Sequence, residues 1–145
     1  MKKRKKRSSK ELDEALVHIK YELNMLILVA NGLASRIFGK SALNNSVVES
    51  FAIHSRNLID FLWADKPNND HVIAEDYFQD PGYWTKIRPA IPDILKKARI
   101  RAHKEIAHIS YDRIKVKKDE KPWDFVSISN LISENMEMFF KSKMI

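Results

Sequence analysis

The sequence contains no cysteine, which excludes disulfides, thiolate metal sites and cysteine nucleophiles. Glycine and proline are scarce, 3 and 5 in 145 residues, leaving too few turn signals for a sandwich or a barrel. No run approaches the ~18 apolar residues of a membrane span, and the most apolar stretch, Met25 to Ala30, is far shorter. The basic N-terminus is followed by charged residues rather than an apolar segment, so no secretory signal is expected. Neither a Gly-rich phosphate loop nor a His-Glu-x-x-His element occurs. The carboxylates between residues 60 and 80 match no calcium loop, and no serine has a strand–turn–helix setting. The resulting expectation is a cytoplasmic protein with no membrane association, no cofactor and no metal.

A 44% hydrophobic content with 7 Phe, 4 Tyr and 3 Trp is enough for one globular domain. The net charge of +7 is unevenly placed. Lys2, Lys3, Arg4, Lys5, Lys6 and Arg7 supply most of it, so the rest of the chain is near neutral. Such a run reads as a disordered basic tail over residues 1–8, acting as a solubility or weak electrostatic device. Residues 9–145 read as a single domain.

Apolar spacing in that domain is helical. Ser8 and Glu11 form a capping box, after which Leu12, Ala15, Leu16, Ile19, Leu23, Leu26, Ala30 and Leu33 predict a helix over about residues 9–36, with Gly39 as its stop signal. Ser46 and Glu49 suggest a second capping box and a helix over about 46–64. On its polar side Glu49, Arg56 and Asp60 are spaced for an ion-pair ladder. Residues 65–89 break the pattern. They are rich in turn residues and carboxylates, and are expected to pack through Tyr77, Phe78, Tyr83 and Trp84. Pro92 and Asp93 open a third helix to about Ser110 or Asp112, with Ile91, Leu95, Ala98, Ala102, Ile106 and Ile109 as its apolar stripe. Pro122-Trp123-Asp124 opens the last, carrying Phe125, Ile128, Leu131, Ile132, Met136, Phe139 and Phe140. The fold class is therefore all-α: an up-and-down bundle of four to five helices, with an irregular acidic loop between helices 2 and 3.

The chemistry concentrates on the third helix. Arg101 and His108 are seven residues apart, nearly two turns, so a regular helix projects both from one face. Arginine is a fixed cation suited to phosphate, and histidine is the side chain that exchanges a proton near neutral pH. About one Arg-x4–6-His spacing is expected by chance in a chain with 8 Arg and 5 His, so the weight of the pair rests on its surroundings. Lys96, Lys97, Arg99 and Lys104 surround it with positive charge attractive to a phosphate backbone. Glu105, four residues from Arg101 and three from His108, orients one of them or neutralises the surface. His103 reads as solvent-facing. Arg56 reads as a salt-bridge partner of Glu49 and Asp60 or as a second phosphate contact. His54 and His71 stand as isolated histidines, and Tyr111 reads as a core-edge aromatic.

Two segments, Glu49–Leu62 and Arg101–Ser110, together resemble the HEPN-like superfamily of prokaryotic all-helical proteins. The Arg101–Ser110 segment is similar to the family's Arg-x4–6-His element, with six intervening residues. Ala102 stands where the family usually has a polar residue after the arginine, and His103 follows it. The resemblance implies a homodimer whose paired domains bring two Arg/His sets into one cleft. It also implies a metal-independent endoribonuclease of the toxin or antiviral-defence type. Arg101 would hold the scissile phosphate and His108 would assist attack by the 2′-hydroxyl, giving a 2′,3′-cyclic phosphate and a 5′-hydroxyl. The competing expectation is a noncatalytic helical module that binds a protein partner or antitoxin. In it the acidic 60–80 segment and the basic third helix mate between subunits.

Overall fold

The computed structural model describes residues 4–143. They form an all-α fold of six α-helices with no strand among them: α1 (Ser9–Ala34), α2 (Ala42–Leu62), α3 (Tyr83–Ile87), α4 (Asp93–Arg101), α5 (Asp112–Lys115) and α6 (Phe125–Lys143). Four of these correspond to the expected bundle helices. The additional two, α3 and α5, are short pieces inside connections expected to be irregular.

The capping box of α1 forms as the sequence predicts. The Ser8 hydroxyl accepts from the Glu11 N–H, and the Glu11 carboxylate accepts from the Ser8 N–H at 2.8 Å. These bonds, with the Ser8 backbone foremost, lower the Glu11 carboxyl to about 2. The other end departs from expectation. The Arg36 N–H reaches Leu33 O and the Ile37 N–H reaches Gly32 O, the paired bonds of a Schellman closure. Arg36, at φ +56°, takes the left-handed position expected at Gly39, three residues before it. Phe38 then folds back onto Gly32, where a Cβ would lie 2.7 Å from its ring.

Helix α2 starts earlier than predicted. Ser41 is its N-cap, accepting from the Asn44 N–H, and Ser46 lies inside the helix with its hydroxyl donating to Ala42 O. The Ser41 hydroxyl at the true end, which also donates to Phe38 O at 3.2 Å, outweighs the Ser46–Glu49 pattern, because Ala42 and Leu43 tolerate the helical conformation.

The core is built where the apolar stripes meet. Leu26, Val29, Ala30 and Leu33 of α1 face Phe51, Leu58, Ile59 and Leu62 of α2, and Ile128, Ile132, Met136 and Phe139 of α6. Burying each such large side chain contributes about 1.5–3 kcal/mol. Phe139 is enclosed by the rings of Phe61, Tyr77, Phe78, Trp84 and Phe140, with centroids 5.0 Å from Phe61 and 5.8 Å from Trp84. The 65–89 segment therefore packs through its aromatics, as expected. The Trp84 indole also donates to Leu62 O at 2.8 Å, tying the segment to the end of α2.

The basic N-terminal segment, expected as a disordered tail over 1–8, is described from Arg4 onward; residues 1–3 lie outside the described residues. Arg4 donates to both Asp76 carboxylate oxygens, at 2.8 and 2.7 Å, and to the carbonyls of Asn68 and His71. Arg7 bonds to Glu11 and to Asn69 O. This part of the segment lies against residues 68–76, because the acidic stretch supplies a fixed carboxylate for a guanidinium fork.

Candidate nucleic-acid interface

The third helix expected through Ser110 ends sooner. α4 stops at Arg101 and gives way to a π-helical turn over Ala102–Ala107, after which His108 is extended at φ −132° and ψ 146°. The expected stripe fails beyond Ala102 for this reason. Ala102 is buried, whereas Ile109 is 95% exposed and Tyr111, expected at the core edge, is 85% exposed. The carbonyls released by the wider turn find side-chain donors. The Ser110 hydroxyl donates to Lys104 O at 2.8 Å, and Arg113 donates to Ile106 O at 3.4 Å.

Arg101 and His108 are consequently not carried on one regular helix. Arg101 Nε donates to the Glu105 carboxylate at 3.0 and 3.2 Å, and one terminal nitrogen reaches the same carboxylate at 3.1 Å. Its terminal nitrogens also donate to Pro122 O at 3.2 Å and Lys121 O at 3.0 Å, and the guanidinium lies 4.1 Å over the Trp123 ring. One side chain thus fastens the π-helical turn to the start of α6. Glu105 serves Arg101; no hydrogen bond joins it, or Arg101, to His108 among the described residues.

His108 pairs instead with His103. Their rings meet edge to face with centroids 4.6 Å apart, both exposed to solvent. The widened turn brings these positions together, and no periodic signal in the sequence announces it.

The cations around this turn are partly matched within the chain. Lys96 lies 3.3 Å from Asp93, and Lys104 lies 3.3 Å from Asp112. The Lys104 and Lys115 ammonium groups hold the Asp112 carboxyl below its ordinary value. Arg99 lies 3.8 Å from Asp60 and donates to Trp63 O at 3.4 Å. Arg56 pairs with Asp60 at 3.5 Å, the ion-pair reading of its two, with Glu49 taking no part. Lys97 lines a groove of about 530 Å³ with Ile94, Ile100, Arg101, Val116 and Trp123.

His54, expected to be isolated, is not. Its Nδ1 lies 2.6 Å from the Glu22 carboxylate, which also accepts from the Asn57 amide at 3.1 Å, and Tyr21 packs edge-on against the imidazole. This cross-link between α1 and α2 joins residues distant in sequence, so no spacing rule could reveal it.

No family model, curated protein or solved structure matches the chain. Among the described residues no helix is long and apolar enough to cross a membrane.

Proposed function

We propose that the protein binds RNA over the surface formed by α4, the π-helical turn and α5, and cleaves it without a metal, as the HEPN-like resemblance implies, but with two imidazoles in place of the Arg101/His108 pair. The observation that carries this reading is the exposed pair His103 and His108, 4.6 Å apart beside Lys104. Two imidazoles can divide the proton transfers of phosphodiester cleavage. His108 takes the proton of the 2′-hydroxyl as its oxygen attacks phosphorus, and His103 gives a proton to the departing 5′-oxygen. The products are a 2′,3′-cyclic phosphate and a 5′-hydroxyl. Arg101 acts as a positioning residue: held by Glu105 and stacked on Trp123, it fixes the turn that carries His103 and leads into His108. Phosphate attraction then falls to Lys97 and Lys104, with Lys96 and Arg99 behind them.

Purified protein is incubated with RNA in EDTA, beside the variants His103→Ala and His108→Ala. The expected result is cleavage by the wild type leaving 2′,3′-cyclic ends, and at least ~100-fold slower cleavage by either variant. Equal cleavage by all three proteins overturns the assignment of the imidazoles.

A noncatalytic helical module is the competing reading. It is favoured by the commitment of Arg101 to internal partners and by the nearly bare side chains of Ile109, Tyr111 and Ile114. It predicts no cleavage by any of the three proteins, and a partner protein or second copy covering these apolar residues.

A further inference from the structure

Two guanidinium groups, Arg88 after α3 and Arg99 of α4, converge on the end of α2, separate from the imidazole pair. A cleft of about 420 Å³ opens there, lined by Trp63, Asp65, Thr85, Arg88, Ala90 and Arg99 among others. That volume is within the range of small-molecule sites, ~300–1,000 Å³. Arg88 donates to Leu62 O at 3.0 Å and Arg99 to Trp63 O at 3.4 Å, so adjacent carbonyls at the end of one helix fix both guanidinium groups. The Trp63 indole, donating to Pro89 O at 3.0 Å, holds the opposite wall in place.

Arg88 is the informative residue. It is partly buried, yet no carboxylate reaches ion-pair distance of it among the described residues. Burial pulls its guanidinium below the ordinary value, and Glu75 is the acid nearest enough to oppose this. Glu75 is already occupied: its carboxylate accepts from the N–H groups of Trp84 and Thr85 and from the Thr85 hydroxyl. Arg88 bonds to a single neutral carbonyl through one nitrogen, leaving other N–H groups of its fork to serve an anion. Arg99 is attracted to Asp60 only at 3.8 Å, and Asp60 is shared with Arg56. Asp65 stands at the rim as an exposed carboxylate. Arg56, Arg88 and Arg99 stand against Asp60, Asp65 and Glu75, so formal charge is balanced and the distinguishing feature is the fork of Arg88, which no carboxylate engages among the described residues.

We propose that this cleft binds a phosphate monoester, with the forks of Arg88 and Arg99 on the phosphate oxygens. Trp63, Pro89, Ala90 and Ile91 offer an apolar wall to the group that carries it. This site goes beyond the proposed cleavage and is read without it.

The full chain is titrated with inorganic phosphate at constant ionic strength made up with chloride, following the Nε–Hε signals of Arg88 and Arg99 by NMR. Saturable shifts in the millimolar range are expected for both. Ala90→Glu places a carboxylate at the exposed rim while retaining both arginines, and should weaken the affinity at least ~tenfold. Arg88→Lys keeps the charge but loses the fork, and should also weaken it. Shifts that fail to saturate, or an unchanged affinity in Ala90→Glu with its fold intact by circular dichroism, overturn the proposal. Adenosine 5′-monophosphate and a 5′-phosphorylated trinucleotide distinguish the source. Tighter binding of the trinucleotide assigns the phosphate to an RNA end, and equal binding assigns it to a free nucleotide. His103→Ala and His108→Ala should bind phosphate as the wild type does, whether or not the wild type cleaves RNA.

Discussion

Replacing Arg101 by alanine separates a residue that holds the fold from one that waits for a ligand. The side chains of Arg101 and Glu105 are 22% and 18% exposed, so the pair is screened from much of the solvent. Removing one member of a fully buried pair costs about 3–5 kcal/mol, chiefly because the other charge is left uncompensated. Partial exposure of Glu105 reduces that penalty, while the lost bonds to Lys121 O and Pro122 O and the stacking on Trp123 add to it. Arg101→Ala should therefore destabilise by about 2–3 kcal/mol. For a chain of this length that lowers Tm by roughly 5–10 °C. The double variant Arg101→Met/Glu105→Leu removes both charges, and should lose less than the sum of the two single changes by about 1 kcal/mol or more. The assay is thermal unfolding by circular dichroism at low and high salt. If Arg101→Ala melts within about 1 °C of the wild type, the guanidinium is not fastening the turn, and its role as a positioning residue fails.

The Ser55 hydroxyl is fully buried without a hydrogen-bond partner; Ser55→Ala should stabilise by about 1 kcal/mol, seen as a rise of a few degrees in Tm. Arg36→Gly should gain roughly 0.5–1 kcal/mol, since Arg36 occupies a left-handed position at φ +56° that glycine adopts without a Cβ clash; an unchanged denaturation midpoint would count against the Schellman reading. Burial, and then Asp76 and Asp13, push the Tyr77 hydroxyl from 10.0 up to about 12. The folded state thus holds that proton more tightly, so its stabilisation is complete below pH 10 and disappears as pH rises through 12. Tyr77→Phe should flatten this part of the alkaline unfolding profile. Glu11 shows the opposite sign: its carboxyl is lowered from 4.5 to about 2, so its contribution is present above pH 4.5 and lost as pH falls through 2. Glu11→Gln should make stability less sensitive to pH over that acid interval.

The bundle was legible because its signals are local and repeated. The stripes of α1 and α6 recur over several turns, so a single misplaced cap leaves the buried face unchanged. Helix α2 illustrates this: its start lies at Ser41 rather than Ser46, yet Phe51, Leu58 and Ile59 are still in the core. The aromatic packing of residues 77–84 was legible for a different reason. A segment without periodicity but with Tyr77, Phe78, Tyr83 and Trp84 has apolar area that must be covered. What could not be read were pairings across elements, such as Glu22 with His54 and Arg88 with Leu62 O, which depend on how helices cross.

The turn after α4 shows how a periodic argument decays with distance along the chain. A spacing of four survives the change from α to π geometry well enough for Arg101 to meet Glu105, and that partnership was among the expectations. A spacing of seven does not survive, because the widened turn shifts every later residue and His108 has already left the helix. The same turn brings the His108 ring to His103, five residues away. π-Helical turns occur disproportionately at functional sites. Here such a turn requires the Ser110 hydroxyl and Arg113 to take up displaced carbonyls, and Arg101 to lock the result. A regular helix through the same residues would satisfy those carbonyls internally and aim Ile109 toward the apolar stripe. The observed chain instead leaves Ile109 bare and sets two imidazoles side by side in solvent, so the proposed cleavage draws on His103 and His108 while Arg101, expected to hold the phosphate, is engaged within the fold.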